Sequence, residues 1–215
     1  TAFAGVDIVD EVVRLCAMNL YLHGIGDEGS PVLQGDALAN DGGDRFKVVL
    51  TNPPFGKKSS YKVVGEDGAV TTERENYERE DFKFTTSNKQ FNFLQHIMTI
   101  LEANGRAGVV LPDNVLFEAG RAGEGIRKRL LEGFNFHTLL RLPTGIWYSP
   151  GVKANVLFFD KRPASREVQT KALWVYDYRT NVHKTLKTKR LSSADFDDFV
   201  RCYQERQETE RFRRF

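Results

Sequence analysis

At 215 residues the chain can build one sizeable core, or a core with a modest appendage, and it is too short for more than two domains. Hydrophobic residues make up 40% and charged residues 28%, which excludes a chain disordered throughout. The formal charge of +2 is too small to argue for nucleic acid by itself, so any such case must rest on chemistry.

The chain opens on Thr1 rather than Met, directly before the strand-like run 2–8, which suggests a fragment of a longer polypeptide. Asp10 can cap a helix carrying Val13, Leu15, Cys16, Leu20 and Leu22, ended by Gly24. A short strand Val32–Gln34 leads to Asp36, and the nearly continuous apolar run Phe46–Leu50 reads as a buried parallel strand. From Asn52 to about Lys89 no periodicity survives, and a long loop is expected, with mixed charges from Glu73 to Asp81 suited to a mobile lid. Order returns with an amphipathic helix Gln90–Glu102 built on Phe91, Phe93, Leu94, Ile97, Met98 and Leu101.

A strand Ala107–Leu111, a helix near Ile126–Leu131 and strands Thr138–Leu142 and Asn155–Phe159 follow. Gly120, Gly123 and Gly125 read as a flexible entry to the second of these elements. After Pro163 come a further strand Ala172–Tyr176, a basic stretch Lys184–Arg190, and a capping box at Ser192–Asp195 before a last helix. Residues from Glu205 to Phe215 are expected to fray. Strands alternating with helices predict a doubly wound, mostly parallel α/β sheet. The expected division is 1–162 for the main domain and 163–215 for a small strand-helix extension.

Cys16 sits in an apolar helical pattern where a buried thiol is expected, and Cys202 lies far from it, which fits a reducing, cytoplasmic setting. No apolar run is long enough to cross a bilayer, so no membrane partner is expected. His23, His96, His137 and His183 show no ligand spacing, and no metal is expected.

The chemistry lies in Asn52-Pro53-Pro54-Phe55, placed directly after a strand and therefore at the carboxyl edge of the sheet, where open α/β folds bind ligands. The exocyclic amine of adenine is a poor nucleophile because its lone pair is delocalised into the ring. The Asn52 side-chain oxygen and the Pro53 carbonyl can accept its two hydrogens, the prolines hold that carbonyl at little entropic cost, and Phe55 can stack on an extruded base. A Pro-Pro pair after a strand is also simply a rigid turn.

Asp7, ending the first strand, occupies the position of an acidic ribose ligand, with Ile8 available to an adenine face. Asp36 ends the next strand and can accept from an adenosyl amine, although either aspartate can equally cap a helix. Lys57, Lys58 and Lys62 can meet phosphates or remain solvated. Trp147 and Tyr148 either flank the base pocket or pack in the core.

These residues resemble the modification (methyltransferase) subunit of type I restriction-modification systems, of the N6-adenine DNA methyltransferase family. The resemblance runs through Gly5-Val6-Asp7-Ile8, Thr51-Asn52-Pro53-Pro54-Phe55-Gly56, Thr86-Ser87-Asn88-Lys89-Gln90, Val109-Val110-Leu111-Pro112-Asp113-Asn114-Val115-Leu116-Phe117 and Leu140-Arg141-Leu142-Pro143-Thr144-Gly145-Ile146, and ends near residue 162. It implies S-adenosylmethionine as methyl donor, adenine in double-stranded DNA as acceptor, and assembly with a specificity subunit and a restriction subunit. It implies Asp7 and Ile8 at the ribose and adenine of the cofactor, Asp36 and Ala37 near its adenine, and Asn52–Phe55 around the target base.

Members of the family carry, upstream of the matching region, a central strand ending in a glycine loop for the methionine part of the cofactor, and no part of these 215 residues replaces it. The expected fold is thus a methyltransferase sheet without its first strand. Its two neighbouring strands should then expose apolar edges, and the isolated chain should bind cofactor weakly and be inactive alone. A protein glutamine methyltransferase and a non-catalytic module docking a specificity subunit are the alternatives.

Overall fold

A computed structural model describes residues 3–26, 29–56, 60–64, 70–74, 77–148 and 151–215, with 60–64 and 70–74 described as backbone. It divides into two compact units, Thr1–Asp44 and Arg45–Phe215.

The first unit contains β1 (Gly5–Asp7), α1 (Asp10–Leu22) and β2 (Val32–Gln34). β1 and β2 pair in parallel, with Asp7 opposite Gln34. Asp10 does not cap α1. Val9 holds the cap position, and Asp10 lies in the first turn, where it favours the positive helix end and pairs with Arg14. Helix α1 has no buried residue: Leu15 and Met18 are largely exposed, and Cys16 is half-buried rather than buried. The reason is that β1 and β2 offer too little sheet to cover an apolar helix face.

The second unit is built on β3 (Phe46–Thr51), β6 (Leu101–Pro112), β7 (Asn135–Arg141), β8 (Ala154–Asp160), β9 (Trp174–Asp177) and β10 (Phe212–Arg214). Between β3 and β6 the chain forms β4 (Ser60–Val64), β5 (Val70–Arg74) and α2 (Lys89–Ile100), and between β6 and β7 it forms α3 (Asn114–Phe117) and α4 (Arg121–Gly133). A 3₁₀ turn Ser193–Phe196 and α5 (Asp197–Glu205) precede β10.

The sheet order is β10-β9-β7-β8-β6-β3. Among the described residues β3, β6, β7 and β9 run in one direction, with β8 and β10 opposed. This is the open α/β layout expected. Four carboxyl ends, those of β3, β6, β7 and β9, therefore share one edge.

Both faces of the sheet carry helices. On one, Val49, Ala107, Val109, Leu111, Leu139, Leu157 and Phe159 pack with Phe91, Leu94 and Ile97 of α2 and Ile126 and Leu130 of α4. On the other, Leu140, Tyr176 and Phe212 pack with Phe199 and Cys202 of α5. Helix α2 starts cleanly because the Asn88 side chain accepts from the Gln90 backbone N–H at 3.0 Å.

Four further expectations are corrected. Strand β3 is parallel, but only its Val49 is buried, while Val48 is 47% and Leu50 77% exposed. It lies at the sheet edge, and helices of its own unit cover one face of it only. The stretch expected to be a structureless loop contains an antiparallel hairpin, β4 with β5, whose β-branched Val63, Val64, Val70, Thr71 and Thr72 suit strands.

The glycine-rich segment is not a loose entry. Helix α4 begins at Arg121, and a Cβ on Gly125 would fall 2.2 Å from the Phe84 ring, so glycine there admits an aromatic contact. Finally, the tail does not fray: β10 pairs with β9, and Phe212 is fully buried, its ring stacked on Trp174 at 4.7 Å. That single buried ring holds a segment whose other side chains are mostly charged.

Candidate active site

Strand β3 ends its ladder with Thr51 opposite Val109, so the next residue, Asn52, stands at the carboxyl edge. Pro53 is buried and anchors the turn, while Asn52 and Pro54 are exposed. The Gly56 N–H donates to the Pro54 carbonyl at 3.0 Å, closing a tight turn after the prolines. Among the described residues neither the Asn52 carboxamide nor the Pro53 carbonyl has a hydrogen-bond partner. Two acceptor oxygens are thus left unpartnered on a rigid loop, that of Asn52 on an exposed residue.

Asn52, Pro53, Pro54, Phe55, Trp147 and Tyr148 line a cleft of about 260 Å³. The rings of Phe55 and Trp147 meet edge to face, centroids 5.0 Å apart and planes at 67°. Tyr148 is 96% exposed at the rim. The indole N–H of Trp147 is buried with no hydrogen-bond partner among the described residues, a cost of roughly 1–3 kcal/mol of the sort functional sites retain. Of the two readings open for Trp147 and Tyr148, the geometry places both on the cleft, with Trp147 also packed against the β7–β9 core cluster.

The loop after β7 is built to hold Trp147. The Leu142 N–H donates to the Ala154 carbonyl at 3.0 Å, and Gly145, with φ of 84°, lies so close to the following basic segment that a Cβ would fall 2.1 Å from the Lys184 carbonyl oxygen.

Beneath it, Arg179 donates to both Asp113 oxygens at 2.8 and 2.9 Å and to the carbonyl of Leu142. Asn155 also donates to Asp113, at 2.7 Å. One guanidinium thereby ties the ends of β6, β7 and β9 to the start of β8. Burial opposes the charge on Asp113, but the Arg179 and Asn155 hydrogen bonds outweigh it and hold its carboxyl below the ordinary value. Nothing in the sequence singled out this network, because its members are far apart in the chain.

In the first unit, Asp7 ends β1 and Asp36 follows β2, so these carboxylates stand at adjacent strand ends. Asp7 Oδ1 accepts from the Val9 N–H at 2.9 Å, and Asp36 Oδ1 accepts from the Leu38 N–H at 2.8 Å. Ile8 is 64% exposed beside Asp7, and Ala37 is half-buried. Lys57 and Lys58 and the side chain of Lys62 lie outside the described residues, as does part of the charged run 73–81. No group of three or more His, Cys, Asp or Glu suited to a metal occurs among the described residues. No helix there is long and apolar enough to cross a membrane.

The open α/β sheet, with four strands ending at the edge that carries the aromatic cleft, has the layout of the S-adenosylmethionine-dependent methyltransferase fold class. The match to the family model N-6 DNA Methylase covers residues 1–215, and the chain belongs to that family.

It is 40% identical over 213 residues to the type I restriction enzyme EcoKI methylase subunit of Escherichia coli K12, covering 95% of this chain and 37% of that protein. Identity to the StySJI methylase subunit of Salmonella typhimurium is also 40%, with the same coverage. The crystal structure of the EcoKI M protein superposes with a TM-score of 0.80 at 36% identity, over 100% of this chain and 50% of that one. A modification subunit of a putative type I restriction enzyme from Vibrio vulnificus gives 0.76 at 29% identity, over 98% and 42%. The chain thus spans little more than a third of the curated relatives it matches.

Proposed function

We propose that this chain is the base-handling part of a site-specific DNA adenine-N6 methyltransferase subunit of a type I restriction-modification system. The observation that carries the reading is the pair of unpartnered acceptors, Asn52 and Pro53, beside the Phe55–Trp147 wall. An extruded adenine entering the cleft stacks on the aromatic wall. Its N6–H groups then donate hydrogen bonds to the Asn52 side-chain oxygen and the Pro53 carbonyl, which localises the lone pair on N6. Pro54 and Phe55 fix the approach of the base. When bound, S-adenosylmethionine supplies the methyl group as an electrophilic sulfonium. The Asn52 carboxamide would act only as a hydrogen-bond acceptor and orienter there, since a neutral amide does not hold the proton that N6 gives up.

The chemistry of the first unit fits that cofactor. Asp7 suits ribose hydroxyls, Ile8 offers exposed apolar surface to a purine, and Asp36 with Ala37 suits the adenosyl amine. Double-stranded DNA is the substrate, and a specificity and a restriction subunit are the partners, a reading supported by the similarity to methylase subunits of type I restriction enzymes. Residues 1–162 form the catalytic part and 163–215 an extension that completes the sheet.

The test is methyl transfer by the polypeptide expressed from the complete reading frame that encodes these residues. Asn52→Ala should lower transfer to duplex DNA by about 10²–10³-fold, the effect of losing one transition-state hydrogen-bond group. Transfer to a glutamine-containing peptide in place of DNA, or full activity in Asn52→Ala, refutes the reading.

A further inference from the structure

We propose that the loop Lys184–Arg190 is a DNA-phosphate contact seated beside the base cleft, an inference that rests on the function proposed above. The topology supplies the position. Strand β9 runs with β3 and β7, so the segment following it emerges at the edge that carries Asn52 and Trp147. Gly145, two residues before Trp147, packs directly on the Lys184 backbone, and Val182, Leu191, Ile146 and Trp147 share one apolar cluster. Loop and cleft wall are therefore one packed structure.

The loop is also preformed. Thr185 Oγ1 accepts from the N–H groups of Thr188 and Lys189 at 3.1 and 2.9 Å, and the Thr185 N–H donates to the Lys189 carbonyl at 3.0 Å. Its base is tied down by Lys184, whose ammonium donates to Asp195, the carboxylate that also accepts from the Tyr178 hydroxyl at 2.7 Å. The Lys184 and Tyr178 hydrogen bonds hold the Asp195 carboxyl well below its ordinary value.

What remains outward is cationic. Lys187, Lys189 and Arg190 are exposed and form no ion pair among the described residues. Three carboxylates at or after the strand ends are already engaged: Asp113 by Arg179, Asp177 by Arg141, and Asp195 by Lys184. Three unneutralised cations on a rigid loop next to a pocket for an extruded base fit the phosphates flanking the extruded nucleotide. Such contacts position the duplex and carry no sequence information.

Binding of a fluorescein-labelled duplex, followed by anisotropy across a salt series, tests this in the protein from the complete reading frame. Each phosphate neutralised contributes about 0.9 to the slope of log K against log salt. Lys187→Ala/Lys189→Ala/Arg190→Ala should therefore flatten the slope by about 2–3, and Lys187→Arg/Lys189→Arg should leave it unchanged. An unaltered slope in the triple variant, or the absence of salt-dependent duplex binding by the unaltered protein, overturns the inference. Asn52→Ala separates the two ideas: if it abolishes DNA methylation while the triple variant keeps its slope, only the loop assignment falls. If it methylates DNA normally while the triple variant loses slope, the base-handling reading falls and the phosphate contact stands.

Discussion

Phe55, on the turn after β3, and Trp147, on the loop after β7, meet edge to face at 5.0 Å and close one wall of the cleft that holds Asn52. Neither ring alone makes a wall; the contact couples two loops at the same sheet edge.

Removing one ring should therefore weaken base capture more than it weakens the fold. With 2-aminopurine as the target base, Trp147→Ala should lower capture about 5–150-fold, from the ~1–3 kcal/mol carried by a stacked base. Trp147→Phe should retain most of it. Equal fluorescence responses from the unaltered protein and Trp147→Ala would remove Trp147 from the cleft's function.

The Arg179–Asp113 pair predicts a particular pH response. The Asp113 carboxyl is lowered in the folded protein, so its contribution is fully present above its ordinary pKa of 3.8 and is lost as pH falls through the lowered value. Arg179→Met should cost about 2–3 kcal/mol at pH 7, discounted from a fully buried pair because Asp113 keeps some exposure. Urea melts should show the gap to the unaltered protein shrinking as pH drops below about 4. A gap independent of pH would assign the cost to packing alone.

Gly145 and Gly151 offer a controlled comparison. Both have positive φ, 84° and 79°, but a Cβ meets the Lys184 carbonyl at 2.1 Å in the first and nothing within 4 Å in the second. Gly151→Ala should show only the backbone cost, about 1–2 kcal/mol. Gly145→Ala should cost more and speed amide exchange in the 184–190 loop; matching exchange patterns would deny the coupling of loop and cleft wall.

On the proposed reading, the 215-residue chain by itself lacks a glycine loop for the methionine end of S-adenosylmethionine. Titration calorimetry on the isolated chain should accordingly detect no tight cofactor binding. A dissociation constant in the low micromolar range would show that Asp7, Ile8 and Asp36 hold the cofactor without that loop.

The elements that could be read directly from the chain were those whose signals are local. The α2 helix announces itself by the spacing of Phe91, Leu94, Ile97 and Met98, and β7 and β8 by short apolar runs. The position of Asn52 after a strand, of Asp7 at the end of β1 and of Asp36 after β2 follows from the same local patterns. Only the tertiary structure decided which strand neighbours which, that β8 runs against β6 and β7, and that Phe212 turns a charged tail into a strand. It also decided that Phe55 meets Trp147 and that Arg179 reaches Asp113, since pairings between distant residues depend on loop closure and packing, which no periodicity encodes. Secondary structure is set by the side chains within a few residues of each other; a cleft is set by which loops the sheet brings to one edge.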